Sequence, residues 1–103
     1  MHISREPVIK RLDKNVADMK AGERMLITTP LVMDDYIRQI PAGTTTTMLQ
    51  MRKDLAAVYG ADTTCPLTSG IFLRIVAEAA FEAYEAGTPL DVVTPFWRLL
   101  DPA

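Results

Sequence analysis

The side chains that most often perform chemistry are scarce in this chain. Its 103 residues include one cysteine, Cys65, and one histidine, His2. A structural zinc site takes about four such ligands and a disulfide needs a second cysteine, so the sequence predicts no metal site, no disulfide and no cofactor. Cys65 lies before Pro66 with no histidine nearby in sequence, which favours a small buried thiol over a nucleophile.

Carboxylates are more frequent, but no recognisable motif places one beside a histidine, cysteine or serine. Acid–base and nucleophilic catalysis need such neighbours, so we do not expect an enzyme. The 13 acidic and 11 basic residues give a net charge of −2, which argues against a strongly basic nucleic-acid binder with a pI above about 9. No apolar run reaches the roughly 18 residues of a membrane span, and the N-terminus lacks a signal-peptide core; we expect no membrane contact and a cytoplasmic location.

Residues 44–86 are the segment that would position a binding group, and they predict a helix, a tight connection and a longer helix. Thr47 and Gln50 form a capping box, and Gly60 offers a left-handed stop. The second helix begins at Thr68 or Ser69 and includes the most apolar long run in the chain. We expect it to be buried on most of its surface, with a narrow polar stripe exposed. The stripe consists of Arg74, Glu78, Glu82 and Glu85.

The flanking segments predict further elements. Residues 7–20 have apolar side chains at helical spacing and predict an amphipathic helix. This helix, its tail and the next few residues carry six of the eleven basic residues: Arg5, Lys10, Arg11, Lys14, Lys20 and Arg24. Residues 25–28 are a strand or an extended linker. Thr29 and Pro30 are typical of a helix start, and Pro41 ends that helix. Residues 44–46 are expected to be extended, and residues 90–93 could form a short strand.

The whole pattern predicts one mostly α domain over residues 1–103, with at most a short two- or three-stranded β element. A basic tail and helix would occupy residues 1–24, and a helix-turn-helix core would occupy residues 29–100. A chain of this length can bury about 60–68% of its unfolded surface, which is enough for a modest core.

Three blocks within residues 31–100 resemble the O6-alkylguanine-DNA alkyltransferases and the alkyltransferase-like proteins. Ile-Pro-Ala-Gly at residues 40–43, followed by threonines and a helix, is similar to the family's I-P-x-G-x-V-x-T-Y-G-x-I-A. Arg-Ile-Val-Ala-Glu-Ala at residues 74–79 is similar to the R-A-V-G-x-A of its recognition helix. Residues 87–100 are similar to G-N-P-x-P-x-x-x-P-C-H-R-V-V. The residues in register in that block are Gly87, Pro89, Pro95 and Arg98.

The resemblance implies a winged-helix DNA-binding domain whose second motif helix enters the minor groove. An arginine at the start of that helix replaces an extruded base, and the flipped base would meet the protein because its alkylated atom is unreachable inside a duplex. Transferred to this chain, the resemblance implies that DNA contacts come from the two motif helices. These candidates are Arg74, Ser69, Gly70, Thr47, Arg52 and Lys53.

The family's acceptor cysteine and activating histidine correspond here to Phe96 and Trp97. An aromatic ring cannot act as a thiolate or its base, so alkyl transfer is not expected. Together with Arg98, these rings are candidates for a pocket that faces an extruded base. The family's tyrosine that helps rotate the backbone phosphate falls at Met48.

Each candidate also has a structural interpretation. Arg74 could pair with Glu78 one turn later instead of entering DNA. The large rings of Phe96 and Trp97 more often close a core than open a pocket, and Arg98 suits carbonyl acceptors. Arg52 and Lys53 would contact phosphates or belong to a solvated face. The function suggested is therefore binding of DNA, damaged or alkylated, without catalysis; the alternative is a small protein-interaction or homodimerisation module.

Overall fold

The computed structural model describes residues 6–100. It contains three α-helices and two small β-sheets. The helices are α1 (Pro30–Arg38), α2 (Met48–Tyr59) and α3 (Pro66–Glu85). The strands are β1 (Val8–Arg11), β2 (Arg24–Ile27), β3 (Thr46–Thr47), β4 (Thr63–Thr64) and β5 (Leu99–Leu100). The fold is thus mixed α and β, and its second sheet exceeds the single short β element predicted.

The first sheet has the order β1-β2-β4. β1 and β2 run antiparallel with Val8 opposite Ile27, whereas β2 and β4 run parallel with Met25 opposite Thr63. The second sheet pairs β3 and β5 in parallel, with Thr46 opposite Leu99. Both sheets therefore join segments that lie far apart in the chain, and β4 links α2 to α3.

The predicted amphipathic helix over residues 7–20 is wrong. Its first part is β1, all four residues of which are exposed. Backbone bonds extend the hairpin beyond the strands, since the Leu12 amide donates to the Glu23 carbonyl over 2.9 Å. Val8 and Ile9 are β-branched and therefore suit a strand. The strand is stabilised by backbone hydrogen bonds to β2, and the spacing of apolar side chains carries no information about such a distant partner. His2 and Arg5 lie outside the described residues.

α1 and α2 begin as the sequence predicts. The Thr29 hydroxyl accepts from the Val32 amide, with Pro30 in the first helical position, and the Thr47 hydroxyl accepts from the Gln50 amide over 3.1 Å. Only half of the predicted capping box forms, because the Gln50 side chain donates to Asp54 instead. Gly60 ends α2 with a φ of 70°, a left-handed conformation that glycine adopts without strain.

α3 differs from its prediction in two respects. It begins at Pro66, before the predicted Thr68 or Ser69, with Cys65 at the cap position. It is also far more exposed than its apolar sequence suggests, with Phe81 and Tyr84 both more than half exposed. α1 and α2 pack on the side of the helix that holds the buried Val76 and Ala80, and the 3₁₀ turn at Phe96–Arg98 also contacts it. The side that carries Leu67, Ile71 and Ile75 is uncovered.

The main core lies where the three helices meet β2 and β5. Its buried members are Leu26, Met33, Ile37, Ile40, Met48, Met51, Leu55, Val76 and Leu99. Tyr36 lies at its edge and donates to Asp54 over 2.6 Å, which ties α1 to α2. Burial and the neighbouring carboxylate raise the pKa of Tyr36 well above its usual range.

The segment after α3 forms turns rather than the strand suggested for residues 90–93. The Val92 amide donates to the Pro89 carbonyl over 2.9 Å, and Val93 is buried. A 3₁₀ turn over Phe96–Arg98 leads into β5. Within residues 6–100, no helix is long and apolar enough to cross a membrane.

Candidate functional site

The first turns of α3 hold three of the predicted DNA contacts in different environments. Ser69 is 0% exposed, and its hydroxyl donates to the Cys65 carbonyl over 2.6 Å. It therefore stabilises the helix start, and this enclosed hydroxyl is not placed for the predicted DNA contact. Gly70 is half-buried and Arg74 is exposed. Only Arg74 offers a solvent-facing charged group here.

Arg74 also carries out the structural role suggested for it. Its Nε lies 3.1 Å from Glu78 Oε1, one turn along α3. The two side chains are 82% and 63% exposed, so solvent screens this pair strongly and it contributes little to stability. A stronger acceptor, such as a phosphate, could therefore displace Glu78 at low cost.

The surroundings of Arg52 do not suit the phosphate contact predicted for it. The residue is 7% exposed, and each of the three guanidinium nitrogens has a partner within the protein. Two nitrogens contact the two Asp18 oxygens over 2.9 Å each, and Nε donates to the Thr64 carbonyl over 2.7 Å. The fork of Arg52 beside Asp18 holds the pKa of that carboxyl below its usual range. Arg52 thus joins the loop before β2, α2 and β4, and it is unavailable to a phosphate.

The remaining two helix candidates lie on α2. The Thr47 hydroxyl is used as the α2 cap, although the residue remains exposed. Lys53 is exposed and borders a small hollow whose rim includes Asp18, Glu23 and Asp62. The nearby carboxylates weaken the field that Lys53 would present to a phosphate.

Phe96, Trp97 and Arg98 form one 3₁₀ turn, but the two rings do not share a pocket. Their centroids are 5.4 Å apart in an edge-to-face arrangement. Phe96 borders an open cavity of about 400 Å³ against α3, beside Phe81 and three glutamates. Trp97, 43% exposed, borders a different cavity of about 140 Å³. The predicted base pocket would therefore involve one ring rather than both.

Arg98 takes the structural role predicted as one alternative. Its Nη1 donates to the Ile40 carbonyl over 2.9 Å. This bond anchors the end of the chain to the residue that precedes Pro41. The bond also brings the first block of the resemblance (residues 40–43 and the threonines after them) into contact with the third block (residues 87–100). The pairing of β3 with β5 is a second contact between these two blocks.

One polar cluster escaped the sequence analysis. Arg38 donates to Asp34 over 2.9 Å, to the Val92 carbonyl over 3.0 Å and to the Thr94 hydroxyl over 3.0 Å, and Thr94 in turn donates to Asp34. The cluster clamps residues 92–94 onto α1. The spacing of Asp34 and Arg38 on one helix face was a visible signal, but nothing in the sequence indicates Thr94 as their partner.

The cluster also lines an open groove of about 430 Å³. α1, α3 and residues 88–94 form its walls, which are mainly apolar. No group of three or more His, Cys, Asp or Glu side chains in the described part of the chain is placed to hold a metal ion.

In comparisons with known proteins, no family model, no curated protein and no solved structure matches the chain.

Proposed function

We propose that this protein binds duplex DNA through a winged-helix-like domain that resembles the alkyltransferase-like proteins, and that it transfers no alkyl group. The observation that carries the proposal is the meeting of the three separated sequence blocks. Arg98 of the third block bonds to Ile40 of the first, and α3, which holds the second, packs against the 3₁₀ turn. A coincidental resemblance in three segments would not require them to be neighbours in space.

The DNA-facing element in this proposal is the start of α3, with α2 and β4 as the preceding parts of the motif. α3 has no acidic residue before Glu78. The N-terminal end of a helix also carries a partial positive charge and free amide groups. Phosphates could therefore approach Arg74 from this end, whereas Glu82 and Glu85 would repel them farther along.

The absence of alkyl transfer in this proposal follows from side-chain chemistry. Phe96 and Trp97 carry no group that could become a nucleophile or its base. The thiol of Cys65 is buried at the start of α3. A flipped base could still stack on the exposed edge of either ring.

Fluorescence anisotropy with short duplexes, with and without O6-methylguanine and over a salt series, tests the proposal. We expect an affinity that falls steeply with salt because phosphate contacts release counterions. Arg74→Ala should weaken binding about 5- to 10-fold, as expected for one phosphate-contacting arginine. Lys10→Ala removes an equal charge from β1 and is the matched control, for which we expect little change.

Two results would contradict this function. One is a lack of affinity for either duplex even at low salt. The other is a gain in protein mass, measured by intact-mass spectrometry after incubation with the alkylated duplex, since that would reveal a transferred alkyl group.

A further inference from the structure

The uncovered side of α3 carries a row of large apolar side chains spaced four residues apart. Leu67 is 71% exposed, Ile71 50% and Ile75 40%. Residues at this spacing form a continuous ridge on one side of a helix, inclined to its axis. Three large aliphatic side chains in one exposed ridge are more than the scattered apolar residues normal for a protein surface.

After Ile75, the side chains of the same row are small instead of large. Its next members, Ala79 and Ala83, are small and line the 430 Å³ groove between α1, α3 and residues 88–94. Leu31 and Val92 stand on the other walls of the groove, each more than half exposed. The row therefore consists of protruding side chains at its N-terminal end and an apolar hollow at its C-terminal end.

We propose that a second copy of this chain covers the row, with the two α3 helices crossing antiparallel at Ile75. A two-fold axis at that residue places Ile71 of each copy opposite Ala79 of the other. Leu67 then points toward the groove of the other copy, near Leu31. Such an interface is self-complementary, as a two-fold dimer requires, because one surface supplies both the protrusion and the hollow.

The charges on α3 select the antiparallel orientation. All three carboxylates of the exposed stripe, those of Glu78, Glu82 and Glu85, lie in the C-terminal half of the helix. A parallel pair would set these carboxylates against one another. An antiparallel pair sets them near the N-terminal half of the other helix, which has no acidic side chain and a positive dipole end. Arg74 then also comes near Glu78 of the second copy.

This dimer does not depend on DNA binding, but it covers the same first turns of α3. Arg74 lies next to the crossing point, so a duplex and a second copy could not occupy that surface together. Duplex DNA should therefore lower the dimer fraction if both proposals hold. The dimer itself is measured without DNA, so either proposal can fail alone.

Sedimentation velocity over a concentration series tests the association. We expect a shift from monomer to dimer as the protein concentration rises. Ile75→Glu places two like charges at the axis and should weaken the dimer at least tenfold. Val58→Glu makes the same kind of change at a 75% exposed site on α2 and should leave it unchanged. Circular dichroism of each variant checks that the helices persist.

Cross-linking under mild oxidation tests the orientation in a Cys65→Ala background. Ile75→Cys should cross-link to itself, and a mixture of Ile71→Cys and Ala79→Cys should cross-link mainly between the two variants. A monomer at every concentration, a dimer that tolerates Ile75→Glu, or efficient self-cross-linking of Ile71→Cys would each overturn the proposal. The last result would show a parallel pair.

Discussion

Two arginines on successive helices, Arg52 and Arg74, show how strongly position in the fold decides the role of one residue type. Arg52 is buried at the junction of α2, β4 and the loop before β2, where each of its contacts joins separate segments. Arg74 lies on the uncovered side of α3, and within residues 6–100 its side chain pairs with Glu78, one turn away on the same helix. The first arginine holds the fold together, and the second is free to exchange its partner for a ligand.

The same contrast extends to the apolar residues of the two regions. The junction and the adjoining core enclose Met33, Ile37 and Met51 completely, whereas the outer side of α3 leaves aliphatic side chains of similar size in solvent. Stability should therefore reside in the first region and binding in the second. Substitutions paired across the two regions can test this division.

The largest difference is expected from aliphatic truncations. Ile37→Ala removes a fully buried side chain and should lower the free energy of unfolding by about 2–5 kcal/mol. Ile71→Ala removes a half-exposed one and should lower it by less than about 1 kcal/mol. Urea denaturation followed by the fluorescence of Trp97, at a protein concentration low enough to avoid association, measures both. Equal losses would show that the outer side of α3 is part of the folding core.

A smaller difference is expected from adjacent cations on α2. Arg52→Ala leaves the buried Thr64 carbonyl without its side-chain donor and should cost about 1–3 kcal/mol. Lys53→Ala removes an exposed charge and should change stability by about 0.5 kcal/mol or less. The same denaturation experiment compares them, and an unchanged stability for Arg52→Ala would refute the joining role.

The smallest effect is expected from the titration of Asp18. Its pKa is lower in the folded protein because of Arg52, so the folded state favours the charged form. The resulting stabilisation is present above the unfolded pKa of about 3.9 and is lost as pH falls through the folded value. The difference in stability between the parent protein and Asp18→Asn should accordingly shrink below about pH 4. A constant difference across that range would exclude a charged Asp18 as the partner.

Local signals in the sequence predicted local structure well. The caps at Thr29 and Thr47 and the glycine stop at Gly60 each depend on a few neighbouring residues, and all three are present. Residues 25–28 were predicted to be a strand or an extended linker, and the structure has a strand there, β2 (Arg24–Ile27). Helical spacing failed for residues 7–20 because the partner that makes β1 a strand lies more than ten residues away in the chain.

Burial was harder to predict than helix formation. The apolar composition of α3 suggested a covered helix, but a helix becomes buried only where other elements reach it, and α1 and α2 cover one side. The roles of Arg52 and Ser69 were missed for a related reason. Their partners are Asp18, Thr64 and the Cys65 carbonyl, and a resemblance between motifs carries no information about which groups a particular fold encloses.

The outer edge of β1 has a consequence for the behaviour of the protein in concentrated solution. In the part of the chain that the structure describes, β1 pairs with β2 on one side only. An open strand edge with exposed Val8 and Ile9 is a template for fibril growth. Lys10 and Arg11 follow directly in the same strand, and like charges make the approach of an identical edge unfavourable. Lys10 and Arg11 should therefore disfavour the pairing of this edge with the same edge of another copy.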